Sequence, residues 1–93
     1  MAVITLLEFP GLTREQYERV GANLAGGPPE GILYHSCGPH EGGWRVVDIW
    51  ESREAFDRFV DGTYLAAVRG VGGPEPSRRE VVEANHAGAV LRG

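Results

Sequence analysis

GILYHSCGPHEGGWRVVDIWESREAFDRF, residues 31–59, is the stretch that decides the fold. Two strand-like runs, Gly31 to Cys37 and Trp44 to Trp50, flank the loop GPHEGG. Short glycine-bearing connections join antiparallel neighbours, so the two runs predict a hairpin. Ser52 then supplies a helix N-cap, and Glu54 lies in the first turn, where the helix dipole favours a carboxylate. The stretch therefore predicts strand, turn, strand and helix.

One further strand and one further helix are predicted ahead of the hairpin. Ala2 to Phe9 carries apolar side chains on both faces of a strand, and Pro10 follows it. Thr13 and Gln16 then fit a capping box, which predicts a helix that runs to about Leu24.

The residues after the hairpin complete a second helix and predict a fourth strand. A break or kink is expected at residues 61–63, before a last helical turn that ends near Val68. A glycine-rich loop leads to the fourth strand, from about Arg79 to His86. The buried stripe of the second helix is predicted to consist of Phe56, Phe59, Val60 and Tyr64.

The element order β-α-β-β-α-β predicts an α+β, ferredoxin-like fold with a four-stranded antiparallel sheet. Residues 1–86 form a single predicted domain, and residues 87–93 form a C-terminal tail. Both helices are expected on one face of the sheet, although the first strand is apolar on both faces. Because a large exposed apolar surface attracts a partner, the other face is predicted to pair with a second copy, giving a homodimer.

Composition argues against several classes of protein. The 93 residues carry a formal net charge of -4, and nucleic-acid binding needs clustered basic residues, so no nucleic-acid partner is expected. No apolar run is long enough to span a membrane. The N-terminus lacks the features of a signal peptide, which predicts a cytoplasmic protein. One cysteine and three histidines without ligand spacing predict no metal site. The sequence has no P-loop and no complete G-x-G-x-x-G motif, and no cofactor is expected.

The candidate site follows from the register of the hairpin. If Gly38 lies opposite Gly43, then Cys37 faces Trp44, His35 faces Val46 and Leu33 faces Asp48. Side chains alternate along a strand, so this register predicts two distinct faces. One face carries Leu33, His35, Cys37, Trp44, Val46, Asp48 and Trp50. The other carries Ile32, Tyr34, Ser36, Arg45, Val47 and Ile49, and it suits a dimer contact.

Asp48 is the most informative of these residues, because a carboxylate in a half-buried strand needs a partner. His35 is expected diagonal to it on the same face and within reach. Such a pair holds imidazole in one tautomer and suits general-base catalysis. His86, at the end of the fourth strand, is a second candidate base. A structural reading remains open, in which Asp48 pairs with an arginine or accepts a hydrogen bond from an indole or a backbone amide, and His35 is not catalytic.

The walls of a substrate pocket are predicted from the same face and from the second helix. They comprise Trp44, Trp50, Cys37, Phe56, Phe59 and Tyr64. For Trp44 the alternatives are packing or a pocket rim, and for Cys37 the alternative is core filling.

The segment GGWRVVDIWES, Gly42 to Ser52, followed by EAFDRF, resembles the dimeric α/β-barrel proteins of the antibiotic biosynthesis monooxygenase-like group. The resemblance extends from Gly31 to about Tyr64, and the element order matches over the whole chain. It implies that two ferredoxin-like subunits pair their sheets into a barrel. It also implies that each subunit keeps a pocket between its sheet and its helices.

The resemblance implies a small enzyme that acts on an aromatic or polyketide-like metabolite. The expected activity is that of a cofactor-independent monooxygenase, with His35 or His86 as base and Trp44 and Trp50 as walls. The oxygenases of this family use a set of asparagine, tryptophan, tyrosine and arginine residues, which does not align completely with this sequence. The family also includes heme-degrading enzymes, and their asparagine, tryptophan and histidine set cannot be matched by position either. Because one fold hosts many chemistries, a polyketide cyclase or isomerase and a non-catalytic ligand-binding dimer remain alternatives.

Overall fold

The computed structural model describes residues 1–24 and 26–89 of the chain. Four strands form one antiparallel sheet in the order β2-β3-β1-β4. The predicted β-α-β-β-α-β order and the ferredoxin-like fold are confirmed. The elements in chain order are β1 (Val3–Phe9), α1 (Arg14–Asn23), β2 (Ile32–His40), β3 (Gly43–Trp50), α2 (Arg53–Phe59), a π-helical turn (Val60–Tyr64), α3 (Leu65–Gly70) and β4 (Arg78–Glu83).

Helix α1 begins with the predicted capping box. The backbone N–H of Gln16 donates to the Thr13 hydroxyl at 3.1 Å, and the Thr13 N–H donates to the Gln16 side chain at 3.0 Å. These bonds satisfy amide groups that have no partner inside the helix. The start of α1 is therefore fixed by its own sequence.

The hairpin turn is tighter than the sequence suggested. Strand β2 continues to His40, which pairs with Gly43, so only Glu41 and Gly42 remain in the turn. Both have positive φ, 48° and 77°, as the two-residue hairpin turn that matches strand twist requires. The prediction that Gly38 to Gly43 form the loop is therefore wrong.

The shorter turn shifts the register by two residues from the predicted one. His35 pairs with Asp48 instead of Val46, and Cys37 pairs with Val46 instead of Trp44. A two-residue shift preserves the side of the sheet on which each residue lies. His35 and Asp48 therefore still share a face, and they lie directly opposite each other instead of diagonally.

An irregularity at Leu33 corrects the predicted faces at the start of β2. Ile32 pairs with Trp50 and Tyr34 pairs with Ile49, so one extra residue is inserted into β2. Such a bulge reverses the alternation locally. Ile32 consequently packs against the core, whereas Leu33 is exposed, the opposite of the prediction.

Helix α2 continues into α3 through the π-helical turn at Val60–Tyr64, where the kink was predicted. The wider turn adds a residue to the helix repeat, and such turns are often found beside functional sites. Val60 and Tyr64 are both buried. The helical run ends at Gly70, two residues after the predicted end.

Strand β4 ends at Glu83, so its predicted extension to His86 is wrong. Its partner β1 begins at Val3, and one further bond joins the Ala84 N–H to the Ala2 carbonyl at 2.9 Å. Among residues 1–24 and 26–89, the sheet offers β4 no partner strand beyond that point. The boundary between a domain and a tail at residues 86 and 87 stays a prediction, and residues 90–93 lie outside the described residues.

The helices cover one face of the sheet and leave the other open. The covered side of β1 contributes Val3, Leu7 and Phe9 to the core, together with Trp50 of β3. Along the chain from 1 to 24 and 26 to 89, no helix is both long and apolar enough to cross a membrane.

Candidate functional site

A cavity of about 410 Å³ lies between the covered face of the sheet and the helices. This volume is within the range of pockets that hold small organic ligands. Most of its wall is aliphatic or aromatic, and its polar side chains are Glu18, His35, Asp48 and three hydroxyl- or N–H-bearing rings. The aromatic residues of the wall are Tyr17, Trp50, Phe56, Phe59 and Tyr64.

His35 and Asp48 form a hydrogen-bonded pair in the wall of this cavity. His35 Nδ1 lies 2.8 Å from Asp48 Oδ1, and the Ser36 backbone N–H donates to the same oxygen at 3.2 Å. An ionised carboxylate only accepts hydrogen bonds, so Nδ1 carries the imidazole proton. The other ring nitrogen, Nε2, is then the basic one.

Tyr17 of α1 completes the arrangement on the far side of the imidazole. Its hydroxyl oxygen lies 2.9 Å from His35 Nε2 and donates its proton to that nitrogen. Asp48, His35 and Tyr17 thus form a continuous carboxylate–imidazole–phenol chain that joins β3, β2 and α1. Tyr17 was not among the predicted site residues.

Burial sets the ionisation of the groups in this chain. Asp48 is only 8% exposed, and desolvation raises the pKa of its carboxyl, although His35 and the Ser36 N–H oppose the shift. Burial also raises the pKa of Tyr17, as do the nearby Cys37 thiol and the charge of Asp48. Tyr17 is therefore a neutral donor.

Four aromatic rings form a continuous wall beside the polar chain. The Trp50 ring lies 5.6 Å from Phe59 and 5.9 Å from Phe56, and Phe59 lies 5.5 Å from Tyr64. Among the described residues, neither the Trp50 Nε1 nor the Tyr64 hydroxyl has a hydrogen-bond partner. The structure thus brings four predicted wall residues to the cavity together with His35 and Asp48.

Three predicted site residues do not line this cavity. His86 is exposed beyond the end of β4. Cys37 is exposed on β2, so it is not core filling. Trp44 is buried beside the hairpin turn, lines a separate cleft there, and packs its ring 5.0 Å from that of Tyr17. Trp44 consequently reaches the candidate site only through Tyr17.

One signal in the sequence pointed to Tyr17. It is the fourth residue of a capped helix, a position whose side chain commonly packs back across the helix start. A tyrosine at such a position buries its ring and still needs a partner for its hydroxyl. A histidine on the covered face of the hairpin is such a partner.

No cluster of three or more histidine, cysteine, aspartate or glutamate side chains with metal-binding geometry occurs within residues 1–24 and 26–89. The polar chain therefore contains two potential ligands, His35 and Asp48, which are already bonded to each other.

Comparison with known proteins gives matches in structure only. No family model matches the chain, and no curated protein matches its sequence. SnoaB from Streptomyces nogalater, a cofactor-independent oxygenase solved as a point mutant, aligns with a TM-score of 0.64 at 14% identity. That alignment covers 92% of this chain and 95% of SnoaB.

Two further solved structures align over almost their full length. A candidate antibiotic biosynthesis monooxygenase from Chloroflexus aurantiacus J-10-fl gives a TM-score of 0.65 at 10% identity, covering 98% of this chain and 100% of that one. Another from Deinococcus radiodurans gives 0.61 at 12% identity, covering 99% and 100%. The chain therefore has the ferredoxin-like fold of the antibiotic biosynthesis monooxygenase-like proteins.

Proposed function

We propose that this protein is a cofactor-independent monooxygenase that oxidises a small aromatic or polyketide-like molecule. The observation that carries the proposal is the 2.8 Å bond between His35 and Asp48 in the wall of an aromatic-lined cavity. A base held in one tautomer beside a largely apolar pocket suits removal of a proton from a phenolic substrate. The fold shared with SnoaB, a cofactor-independent oxygenase, supports the choice of reaction.

The proposed chemistry needs only the substrate and oxygen. Loss of the phenolic proton makes the ring system electron-rich, and its activated carbon then reacts with oxygen. In the overall reaction, a CH2 group and O2 give a C=O group and water, and the substrate supplies all the electrons. The protein contributes the base, the orientation of the ring and the exclusion of water.

We also propose that two copies pair through the open face of the sheet. Ile4, Tyr34 and Val82 of that face are 37%, 47% and 55% exposed. The register places Tyr34, Ile49, Ile4 and Val82 in one row across all four strands. Isolated exposed apolar residues are ordinary, but a continuous row marks an interface.

A charged group borders this apolar row, as the rim of an interface does. Glu8 accepts a hydrogen bond from Arg45 Nε at 2.8 Å, and Arg78 lies 3.6 Å from the same carboxylate oxygen. The apolar centre and the paired charges at one end favour a second copy of this chain as the partner. They also match the barrel that the sequence resemblance implies.

Oxygen uptake with a panel of anthrone-like phenols tests the proposed activity. We expect uptake with at least one member and a loss of about 10²-fold or more in His35→Ala, the scale of general-base catalysis. His40→Ala is the matched control, because His40 belongs to the same strand but does not line the cavity. Full turnover in His35→Ala would rule out His35 as the base.

The same panel separates the alternatives. Conversion of a substrate with no oxygen uptake would replace the monooxygenase by a cyclase or isomerase, which uses the base without oxygen. Tight binding of the aromatic molecules with no conversion would leave a ligand-binding dimer, in which the polar chain only recognises the hydroxyl group.

A further inference from the structure

We infer that Tyr17 is a catalytic residue, which takes the proton of the substrate hydroxyl and passes its own proton to His35. The inference rests on the proposed function of the cavity. It depends on the hydrogen bonds that the two ring nitrogens of His35 already make. Nδ1 is bonded to Asp48 at 2.8 Å, and Nε2 is bonded to the Tyr17 hydroxyl at 2.9 Å.

An imidazole ring has only two nitrogens, so the arrangement leaves none for a substrate. A phenol in the cavity reaches Nε2 only by displacing Tyr17. The Tyr17 oxygen, in contrast, donates one proton and keeps lone pairs that accept another. Since Tyr17 and His35 both line the cavity, the Tyr17 oxygen is the atom of the chain that the substrate hydroxyl meets.

Several contacts hold Tyr17 in this position. Its ring packs 5.0 Å from the Trp44 ring at an angle of 32°. The capping box fixes the start of α1 three residues earlier, and the adjacent Gln16 side chain donates to the Val71 carbonyl at 3.3 Å. Tyr17 is thus tied to the sheet and to the end of α3, as a residue that transfers a proton must be.

The proton transfers balance without an oxidant or a cofactor. The substrate O–H bond breaks and its proton binds the Tyr17 oxygen, while the Tyr17 O–H bond breaks and its proton binds His35 Nε2. Nδ1 keeps its proton, and the Asp48 carboxylate faces the resulting imidazolium. The products are a substrate phenolate, a neutral Tyr17 and an imidazolium–carboxylate pair.

A concerted transfer also accounts for the surroundings of Tyr17. A free Tyr17 phenolate would be costly, because burial, the Cys37 thiol, Tyr64 and the charge of Asp48 all raise the pKa of its hydroxyl. In the relay Tyr17 is neutral before and after the transfer. The negative charge moves to the substrate, and the positive charge is placed next to Asp48.

A structural role for Tyr17 predicts the opposite response to loss of its hydroxyl. If Tyr17 only covers His35, then Tyr17→Phe exposes Nε2 and makes direct proton removal by His35 easier. If Tyr17 relays the proton, the same change interrupts the path and leaves a gap between the substrate and Nε2. The two roles are separated by the sign of the effect.

The test uses 4-nitrophenol, whose phenolate has its own absorption band. At a pH where the free probe is mostly protonated, we expect the wild-type protein to bind it largely as phenolate. Tyr17→Phe should lower the ionised fraction of bound probe by about tenfold or more, with the protein still folded by circular dichroism. Thr63→Val is the control, because it removes a hydroxyl from an exposed position that neither lines the cavity nor belongs to the sheet.

Every outcome is informative about the relay separately from oxygen chemistry. An ionised fraction that is unchanged or higher in Tyr17→Phe overturns the relay, and so does a wild-type protein that leaves the probe protonated. Loss of ionisation without oxygen uptake from any phenol supports the relay and removes the monooxygenase. Full oxygen uptake in Tyr17→Phe removes the relay and keeps the monooxygenase.

Discussion

Asp48 and Ile49 are neighbours on β3, and they lie on opposite faces of the same sheet. The carboxylate lies on the covered face and is 8% exposed, whereas the isoleucine lies in the apolar row of the open face. A sheet with one covered face usually has the reverse arrangement, with apolar residues inside and charged ones outside. Each face therefore carries the residue type that needs an explanation.

The two faces differ in how that residue is satisfied within the chain. Asp48 has His35 and the Ser36 N–H as partners, so hydrogen bonds compensate part of the cost of its burial. Ile4 and Val82 of the open face remain exposed. A buried charge that is hydrogen-bonded beside a cavity is typical of a functional site. A row of exposed apolar side chains is typical of an interface.

The largest effect is expected on turnover, from a substitution of Asp48 on the covered face. Asp48→Asn keeps the shape of the side chain but removes the charge that faces the imidazolium, so turnover should fall by about 10²- to 10⁴-fold. Steady-state kinetics with the best phenol of the panel measure the change. Asp61→Asn is the control, since Asp61 is exposed and pairs with Arg79. Equal losses in the two variants would contradict a specific role for Asp48.

A substitution on the open face should weaken the association of two subunits without changing the chemistry within one subunit. Ile4→Asp places a charge in the middle of the apolar row, and two such charges would meet or lie near each other in a symmetric dimer. We expect dimerisation to weaken on the order of 100-fold, as measured by sedimentation at micromolar concentrations. Thr63→Asp is the control away from the sheet. A wild-type protein that is monomeric at these concentrations would exclude the dimer.

A smaller effect should distinguish the cavity from a site for anionic ligands. Glu18 and Asp48 both line it, and within residues 1–24 and 26–89 no lysine or arginine does so. We expect 2-naphthol to bind about tenfold or more tightly than 6-hydroxy-2-naphthoate, because like charges repel strongly in a partly buried site. Fluorescence titration gives both affinities, with 6-methoxy-2-naphthol as the control for size. Tighter binding of the carboxylate would show that another group neutralises these acids.

The comparison of faces also shows what the sequence allowed us to predict. The element order followed from local signals such as the Thr13 capping box and the Ser52 N-cap, and both caps are present in the structure. The predicted pairing of β2 with β3 differs from the observed pairing by two residues. The reason is that the turn uses a positive φ at Glu41, a residue type that rarely adopts one. An even displacement left the covered face almost unchanged.

Other features depend on contacts that local patterns do not encode. The bulge at Leu33 has no mark in the sequence, so Leu33 and Ile32 were assigned to the wrong faces. The end of β4 depends on where β1 ceases to offer a partner, which placed His86 outside the strand. The bond from Tyr17 to His35 depends on how α1 packs on the sheet, and the sequence alone supplied only the two residues.

The smallest expected effect concerns stability, and it reverses sign between a buried and an exposed aspartate. Burial raises the pKa of Asp48, so the folded protein binds more protons than the unfolded chain just above the ordinary value of 3.8. The contribution of Asp48 to stability is then fully present below that value and is lost as the pH rises through the folded pKa. Asp48→Asn should therefore match the wild type in acid and have a higher free energy of unfolding than the wild type at neutral pH.

Asp61 should show the opposite dependence, because its bond to Arg79 lowers the pKa of its carboxyl. Its contribution is present above the ordinary value and is lost as the pH falls through the folded pKa. Asp61→Asn should therefore be less stable than the wild type at neutral pH, with the difference vanishing in acid. Urea denaturation from pH 3 to pH 7 measures both differences. If both differences changed with pH in the same direction, the buried carboxylate of Asp48 would be stabilised as fully as the exposed carboxylate of Asp61. The burial of Asp48 would then not require its hydrogen bond with His35.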